Sequence, residues 1–111
     1  MAWEIFIFRS ERKQKPVEEF ILSLEAKTRA KVSHHKQLLE TYGPLLSMPY
    51  AKKLTDKIYE LRIRGKEEVR ILYSFVNKKV WFLHGFKKKT RKTPSKEIKI
   101  AEKRFRALTS P

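Results

Sequence analysis

The spacing of apolar residues changes near Gly43 and Pro44, and this change restricts the possible folds of the 111-residue chain more than any other feature. Before that point, after a short apolar run at residues 3–8, apolar residues recur every three to four positions, which is the period of an amphipathic helix. After it, residues 57–64 alternate between apolar and polar, which is the period of a strand with one buried face, and two further short apolar runs are also typical of strands. The sequence therefore predicts an α+β domain.

The predicted element order is β-α-α-β-β-β-α, a mainly antiparallel sheet with an N-terminal helical hairpin and a C-terminal helix packed on it. The predicted strands cover residues 3–8, 57–64, 68–76 and 80–86. The predicted helices begin at Pro16, near residue 26 and near residue 94, and the last two end near residues 42 and 108. Thr93 is the predicted N-cap of the last helix, with Pro94 at its first position. The length fits one domain, residues 1–111.

Composition removes several classes of protein. Cysteine is absent, which excludes disulfides, thiolate catalysis and cysteine-based zinc or iron–sulfur sites. The sequence has no apolar run near the roughly 20 residues that a membrane helix needs, and no basic segment followed by an apolar leader. We therefore expect a cytoplasmic protein that does not bind a membrane.

Metal and nucleotide cofactors are not expected. His34 and His35 are neighbours on a predicted helix and point in different directions, and His84 is far from both in sequence. The carboxylates are scattered among cations, and no glycine-rich phosphate loop is present. The predicted cofactor and the predicted metal site are both none.

The positive charge is concentrated in the second half of the chain. Residues 1–50 contain 8 Lys and Arg against 6 Asp and Glu, whereas residues 51–111 contain 19 against 6. A half-chain so basic favours a polyanionic partner, above all nucleic acid. A solubilising surface or a basic tail is the plainer alternative, and an anionic membrane surface is a weaker one because the cations are interleaved with strands.

The strands and the loop after them carry the candidate functional residues. Arg70 lies among strongly apolar neighbours, so it either pairs with Glu60 or Glu68 or faces a functional cleft, and the sequence leaves both possibilities open. The other candidate cations precede the meander, lie on its first strand or follow its third strand: Lys52, Lys53, Arg62, Lys87, Lys88, Lys89, Arg91 and Lys92.

Such a set of residues can cleave RNA without a metal. RNA supplies its own nucleophile, the 2′-hydroxyl. A lysine whose pKa is lowered by neighbouring cations can act as the base, and an arginine can stabilise the charge on phosphorus. Tyr50, Tyr59 or Phe86 could stack an unpaired base.

Several segments together resemble one family. They are Lys52-Lys-Leu54, Ile58-Tyr-Glu-Leu-Arg62, Val69-Arg-Ile-Leu-Tyr73, and the run from Leu83 through Pro94 followed by Glu97, Ile98 and Ala101. Across nearly the whole chain they resemble the HigB-like, phage-derived branch of the RelE/ParE toxin superfamily. The resemblance implies the toxin of a type II toxin–antitoxin system, a ribosome-dependent endoribonuclease that cuts mRNA by metal-independent 2′-hydroxyl attack. The implied partners are a HigA-like helix-turn-helix antitoxin, mRNA and the A site of the 70S ribosome.

The resemblance also implies roles for individual residues. By position, Arg70 corresponds to the strand arginine that helps stabilise the cleaved phosphate, and Lys88, or its neighbour Lys87, to the basic residue after the third strand. Lys52 and Lys53 correspond to the lysines ahead of the meander, and Arg62 to the arginine of its first strand. The predicted catalytic residues are Arg70, Lys88, Lys87 and Lys53, and the predicted RNA-binding residues are Lys52, Arg62, Lys89, Arg91 and Lys92. One feature departs from the family pattern, because no tyrosine or histidine follows Lys92 to serve as the general acid. His84 is the nearest histidine and is more simply a strand residue, and Thr90 could orient a phosphate.

Two alternatives remain open. One is a RelE-fold protein that binds RNA or ribosomes without cutting, and the other is a non-enzymatic regulatory interaction module.

Overall fold

The computed structural model describes residues 2–110, so Met1 and Pro111 of the predicted domain lie outside the described residues. The described part is an α+β structure with three α-helices and a five-stranded sheet. The strands are β1 (Ile5–Ile7), β2 (Ala51–Lys53), β3 (Tyr59–Ile63), β4 (Val69–Val76) and β5 (Lys79–Lys87). The helices are α1 (Pro16–Leu22), α2 (Ala26–Tyr42) and α3 (Ser95–Thr109), with a one-turn 3-10 helix at Gly43–Leu45.

The strand order in the sheet is β1-β5-β4-β3-β2. Among the strands of residues 2–110, β1 pairs in parallel with β5, and the other three pairings are antiparallel. The predicted class, the mainly antiparallel sheet and the meander formed by β3, β4 and β5 are therefore confirmed.

The predicted order was wrong in one respect, because it contained four strands and the structure has a fifth, β2. This strand has only three residues, two of them exposed lysines, so it shows no apolar alternation. It forms because its backbone completes the open edge of β3, where Lys52 lies opposite Glu60.

The sheet carries a different apolar core on each face. The helical hairpin of α1 and α2 covers one face, where Val17, Leu24 and Leu39 pack with alternate residues of β3 and β4. Helix α3 covers the other face through Ile98, Ala101, Phe105 and Leu108, as predicted, and these pack against Leu72, Leu83 and Phe86. Each fully buried leucine or phenylalanine contributes about 1.5–3 kcal/mol relative to an exposed one.

The ends of the helices follow from local signals in most cases. Helix α2 has the predicted bounds and ends at Gly43, whose φ of 50° suits a residue without a Cβ. The predicted cap of α3 was wrong. Pro94 occupies the N-cap position, and the Thr93 hydroxyl instead donates a hydrogen bond to the Glu60 carboxylate.

Candidate functional site

Strands β3 and β4 place two arginines side by side. Arg62 and Arg70 are directly opposite each other in the register of the two strands. Because side chains alternate along a strand, Glu60 lies on the same face as Arg62, two residues away. Lys52 is paired with Glu60 and therefore belongs to this face as well. The face is the one that α3 partly covers.

Glu60 is the acidic centre of this group. Its side chain is 3 % exposed, and its Oε1 atom lies 3.8 Å from the Nε atoms of both Arg62 and Arg70. Its Oε2 atom accepts the hydrogen bond from Thr93. A buried carboxylate needs such partners, since an isolated charge in the interior is very costly. One carboxylate therefore stabilises two neighbouring guanidinium groups that would otherwise repel each other.

Arg70 is buried, with 1 % of its side chain exposed. Its Nη2 atom is 3.2 Å from Glu68 Oε1, its Nη1 donates to the Val69 carbonyl at 3.0 Å, and its Nε makes no hydrogen bond to any described residue. Of the two possibilities left open by the sequence, pairing is what the structure shows, and it involves both Glu60 and Glu68. Arg70 thus contributes positive charge to this group although its side chain is almost inaccessible to solvent.

Lys88 follows β5 and is tied to this group through its backbone N–H, which donates to the Glu68 carbonyl at 2.8 Å. Burial lowers the pKa of the Lys88 ammonium below its usual range, and the charge of Arg70 lowers it further, with a smaller effect from Arg62. Glu60 and Glu68 oppose this shift without cancelling it. Lys88 is therefore easier to deprotonate than an ordinary lysine, which is the property that a general base requires.

We call Glu60, Arg62, Glu68, Arg70 and Lys88 the cationic cluster, since three of its members are positive and two are negative. Glu60 and Glu68 entered the sequence interpretation only as pairing partners for Arg70. Their joint position could not be read from the sequence, because it depends on the register of β3 against β4.

The other two residues predicted to be catalytic lie elsewhere. Lys87 Nζ pairs with Glu67 Oε1 at 3.1 Å, since consecutive strand residues point to opposite faces. Lys53 is opposite Tyr59, and its Nζ lies 5.8 Å from the centre of that ring. Both residues therefore belong to the face covered by the helical hairpin.

The remaining predicted RNA-binding residues lie on β2, next to β3, and in the loop that follows Lys88. The exposed ones are Lys52 on β2 and, in the loop between β5 and α3, Lys89, Arg91 and Lys92. In the same loop, the Thr90 hydroxyl donates to the Lys92 carbonyl at 2.6 Å, so it stabilises the loop. These cations extend the positive surface outward from the cluster.

His84 connects the sheet to α3. Its Nδ1 lies 3.3 Å from Arg104 Nη1 and its Nε2 lies 2.8 Å from Glu97 Oε1, so Nε2 carries the proton in the neutral ring. Burial lowers the pKa of His84, although Glu97 acts in the opposite direction. Both ring nitrogens are used in packing α3, which agrees with the interpretation of His84 as a strand residue.

The three aromatic candidates differ in access. Phe86 is buried in the core under α3, and Tyr59 packs against Tyr73 and Phe75 under the hairpin. Tyr50 is 41 % exposed. Only Tyr50 of these three presents enough surface for a base to stack on it.

Within residues 2–110, no group of three or more His, Asp or Glu side chains is arranged to hold a metal ion. No helix in that range has both the length and the apolar composition to cross a bilayer. A cleft of about 400 Å³ lies between α3 and the loop before α1. Its lining includes Phe8, Pro16 and Ile100 and contains no residue of the cationic cluster.

The chain matches a known family model. The model, described as "Phage derived protein Gp49-like (DUF891)", matches residues 19–106, which include the second half of α1, all of α2, the meander and most of α3. No curated protein matches the chain.

Proposed function

The chain belongs to the phage-derived Gp49-like family, a toxin-like family of the RelE/HigB type, and from this membership we propose that it is the toxin of a type II toxin–antitoxin system. In this proposal it is a ribosome-dependent endoribonuclease of RelE-like architecture, to which β2 adds an edge strand. It acts in the cytoplasm on mRNA in the ribosomal A site, and a HigA-like antitoxin neutralises it.

The observation that carries the proposal is the position of Lys88 beside Arg70. Lys88 combines a lowered pKa with a place at the edge of a group that contains two guanidiniums. In the proposed reaction, Lys88 takes the proton from the 2′-hydroxyl, and the 2′-oxygen then forms a bond to phosphorus. The bond from phosphorus to the 5′-oxygen breaks, leaving a 2′,3′-cyclic phosphate on one product and a 5′-hydroxyl on the other after that oxygen gains a proton.

The two arginines supply the electrostatic part of the mechanism. Arg62 is 12 % exposed and can reach a phosphate oxygen from the surface. Arg70 is buried, so its charge acts at longer range and also keeps Lys88 easier to deprotonate. Stabilising the developing charge at phosphorus is usually the largest single contribution to such catalysis.

A second candidate function has its own support. The guanidinium of Arg70 is already paired with Glu68 and Glu60, and no tyrosine or histidine lies in the part of the chain after Lys92. These features favour a protein that binds RNA on the ribosome without cutting it.

The chemistry of the product ends separates the two functions. We would incubate a labelled mRNA with the purified protein, with and without 70S ribosomes, and analyse the fragments. The proposal predicts ribosome-dependent fragments with 2′,3′-cyclic phosphate and 5′-hydroxyl ends. Fragments with 3′-hydroxyl and 5′-phosphate ends would contradict the mechanism, and uncut mRNA on ribosomes that retain the protein would establish the second candidate.

A further inference from the structure

A groove of about 230 Å³ opens beside the cationic cluster. It is lined by His35 of α2, by Pro49 and Tyr50 of the loop before β2, and by Arg62 and Arg64 at the end of β3. Arg62 belongs to both the groove and the cluster, because its Nε faces Glu60 while its Nη1 lies 3.0 Å from Met48 Sδ. A ligand in the cluster would therefore continue into the groove.

Tyr50 is a fixed but accessible wall of this groove. Its carbonyl accepts a hydrogen bond from the Arg62 N–H at 2.8 Å, which aligns it with the strands. Its ring meets the His35 ring nearly edge to face, with 5.7 Å between the ring centres. Tyr50 lies outside both apolar cores formed by the described residues, and 41 % of its surface is exposed. An ordered aromatic ring outside the core is suited to stacking against a ligand.

The polar groups of the groove fit an uncharged ring that bears both hydrogen-bond donors and acceptors. His35 Nδ1 donates to the Lys31 carbonyl at 2.8 Å, which leaves Nε2 as an acceptor in the neutral ring. Burial lowers the pKa of His35, and this favours the neutral form. The guanidiniums of Arg62 and Arg64 supply donors, and no carboxylate lines the groove in the described structure.

The distance between the groove and the cluster suits one strand of nucleic acid. Tyr50, Arg62 and Arg70 lie at matching positions across successive strands. Strands are about 4.8 Å apart, so Tyr50 and Arg70 are separated by about 10 Å across the sheet. A phosphate at the cluster and a base on Tyr50 can thus belong to neighbouring nucleotides.

We propose that this groove binds one unpaired base of single-stranded RNA, stacked on Tyr50, next to the nucleotide whose phosphate contacts the cationic cluster. The inference rests on the proposed function, since it takes RNA as the ligand of the cluster. It adds a base-binding subsite formed by α2 and the loop before β2, which lie outside the predicted catalytic set.

A binding experiment with RNA that cannot be cleaved tests this subsite. The probe is a short single-stranded 2′-fluoro RNA with one 2-aminopurine, whose fluorescence falls when the base stacks. Measurements at raised salt reduce the contribution of non-specific charge contacts. We expect the native protein to quench the probe and Tyr50→Ala to lose the quenching and bind about tenfold more weakly. Tyr50→Phe keeps the ring and retains both properties.

Tyr42→Ala is the matched control, because Tyr42 is also an exposed tyrosine but lies at the end of α2, outside the groove lining. We expect Tyr42→Ala to quench the fluorescence of the probe and to bind it as tightly as the native protein does. Absence of quenching by the native protein, or equal quenching and affinity for Tyr50→Ala, would overturn the subsite. The probe lacks the 2′-hydroxyl, so this outcome is independent of cleavage. If the protein quenches the probe but leaves mRNA uncut on ribosomes, the result would support the subsite and contradict only the proposed cleavage activity.

Discussion

At the scale of single residues, Glu60 decides whether the cationic cluster can exist. Arg62 and Arg70 face each other on adjacent strands, and like charges in that arrangement destabilise a sheet. The Glu60 carboxylate lies within 3.8 Å of both guanidiniums and is almost completely buried. It acts as a positioning residue that allows two arginines to remain side by side on adjacent strands.

Replacing Glu60 by glutamine tests this role. The change preserves the shape of the side chain but leaves the buried Arg70 and the partly exposed Arg62 without their shared counter-ion. We expect Glu60→Gln to lower the free energy of unfolding by about 3 kcal/mol, measured by urea denaturation. Glu11→Gln removes the same charge at an exposed position and should change stability by less than about 0.5 kcal/mol. Equal stability of the two variants would show that Glu60 does not hold the cluster.

The pH dependence of cleavage tests Lys88. A base acts in its deprotonated form, so the rate falls as the pH decreases through the pKa of the base. Because burial and Arg70 lower the pKa of Lys88, we expect the native rate to rise with pH and to level off at a lower pH than an ordinary lysine would allow. Lys88→Arg keeps the charge but cannot lose its proton, so its rate should be low and nearly independent of pH. The same pH profile in both proteins would exclude Lys88 as the base.

At the scale of elements, strong local signals made the helices and the meander predictable. The bounds of α2 followed from its apolar period and from Gly43. Strand β3 followed from alternation, and β4 and β5 followed from short apolar runs bounded by turns. Strand β2 was missed because two exposed lysines carry no such signal. The capping prediction at Thr93 failed because a long-range hydrogen bond to Glu60 replaced the local one.

The candidate site, like the fold, could be predicted where the local sequence carries a signal and not where it depends on contacts between distant segments. Arg70 stood out in the sequence because a charge among apolar strand residues is unusual. The division of the predicted catalytic set between two faces of the sheet depended on register and on where β5 ends. The groove at Tyr50 joins α2 to a loop and to β3, and this contact between distant segments has no signal in the local sequence.

The contact between α1 and β5 provides a test at the scale of elements. A Cβ added at Gly85 would lie 2.5 Å from Phe20 Cδ2, so the aromatic ring and α1 would have to move. We expect Gly85→Ala to lower stability by about 2 kcal/mol in thermal unfolding. Gly65→Ala is the control, because its Cβ would meet only the flexible end of Lys31. A loss no larger than that of the control would show that α1 does not pack closely on β5.

At the scale of the whole molecule, charge divides the protein into two parts. The first 50 residues, which form β1, the hairpin and the loop after it, are nearly balanced, with 8 Lys and Arg against 6 Asp and Glu. The later residues have 19 against 6 and form β2–β5 and α3, where the cationic cluster lies. Such an asymmetric field orients a protein toward a polyanion during encounter.

In the proposed mechanism, the cationic cluster cuts mRNA with Lys88 as the base. The most direct measurement is primer extension on a defined mRNA in a reconstituted bacterial translation reaction, comparing the native protein, Lys88→Ala and Lys99→Ala. Lys99 is an exposed lysine of α3, so its replacement removes the same charge away from the cluster.

We expect new 5′ ends inside translated codons with the native protein and Lys99→Ala, and at least about 100-fold slower formation of those ends with Lys88→Ala. Cleavage by Lys88→Ala at the rate of Lys99→Ala, or no new ends with the native protein, would contradict this mechanism.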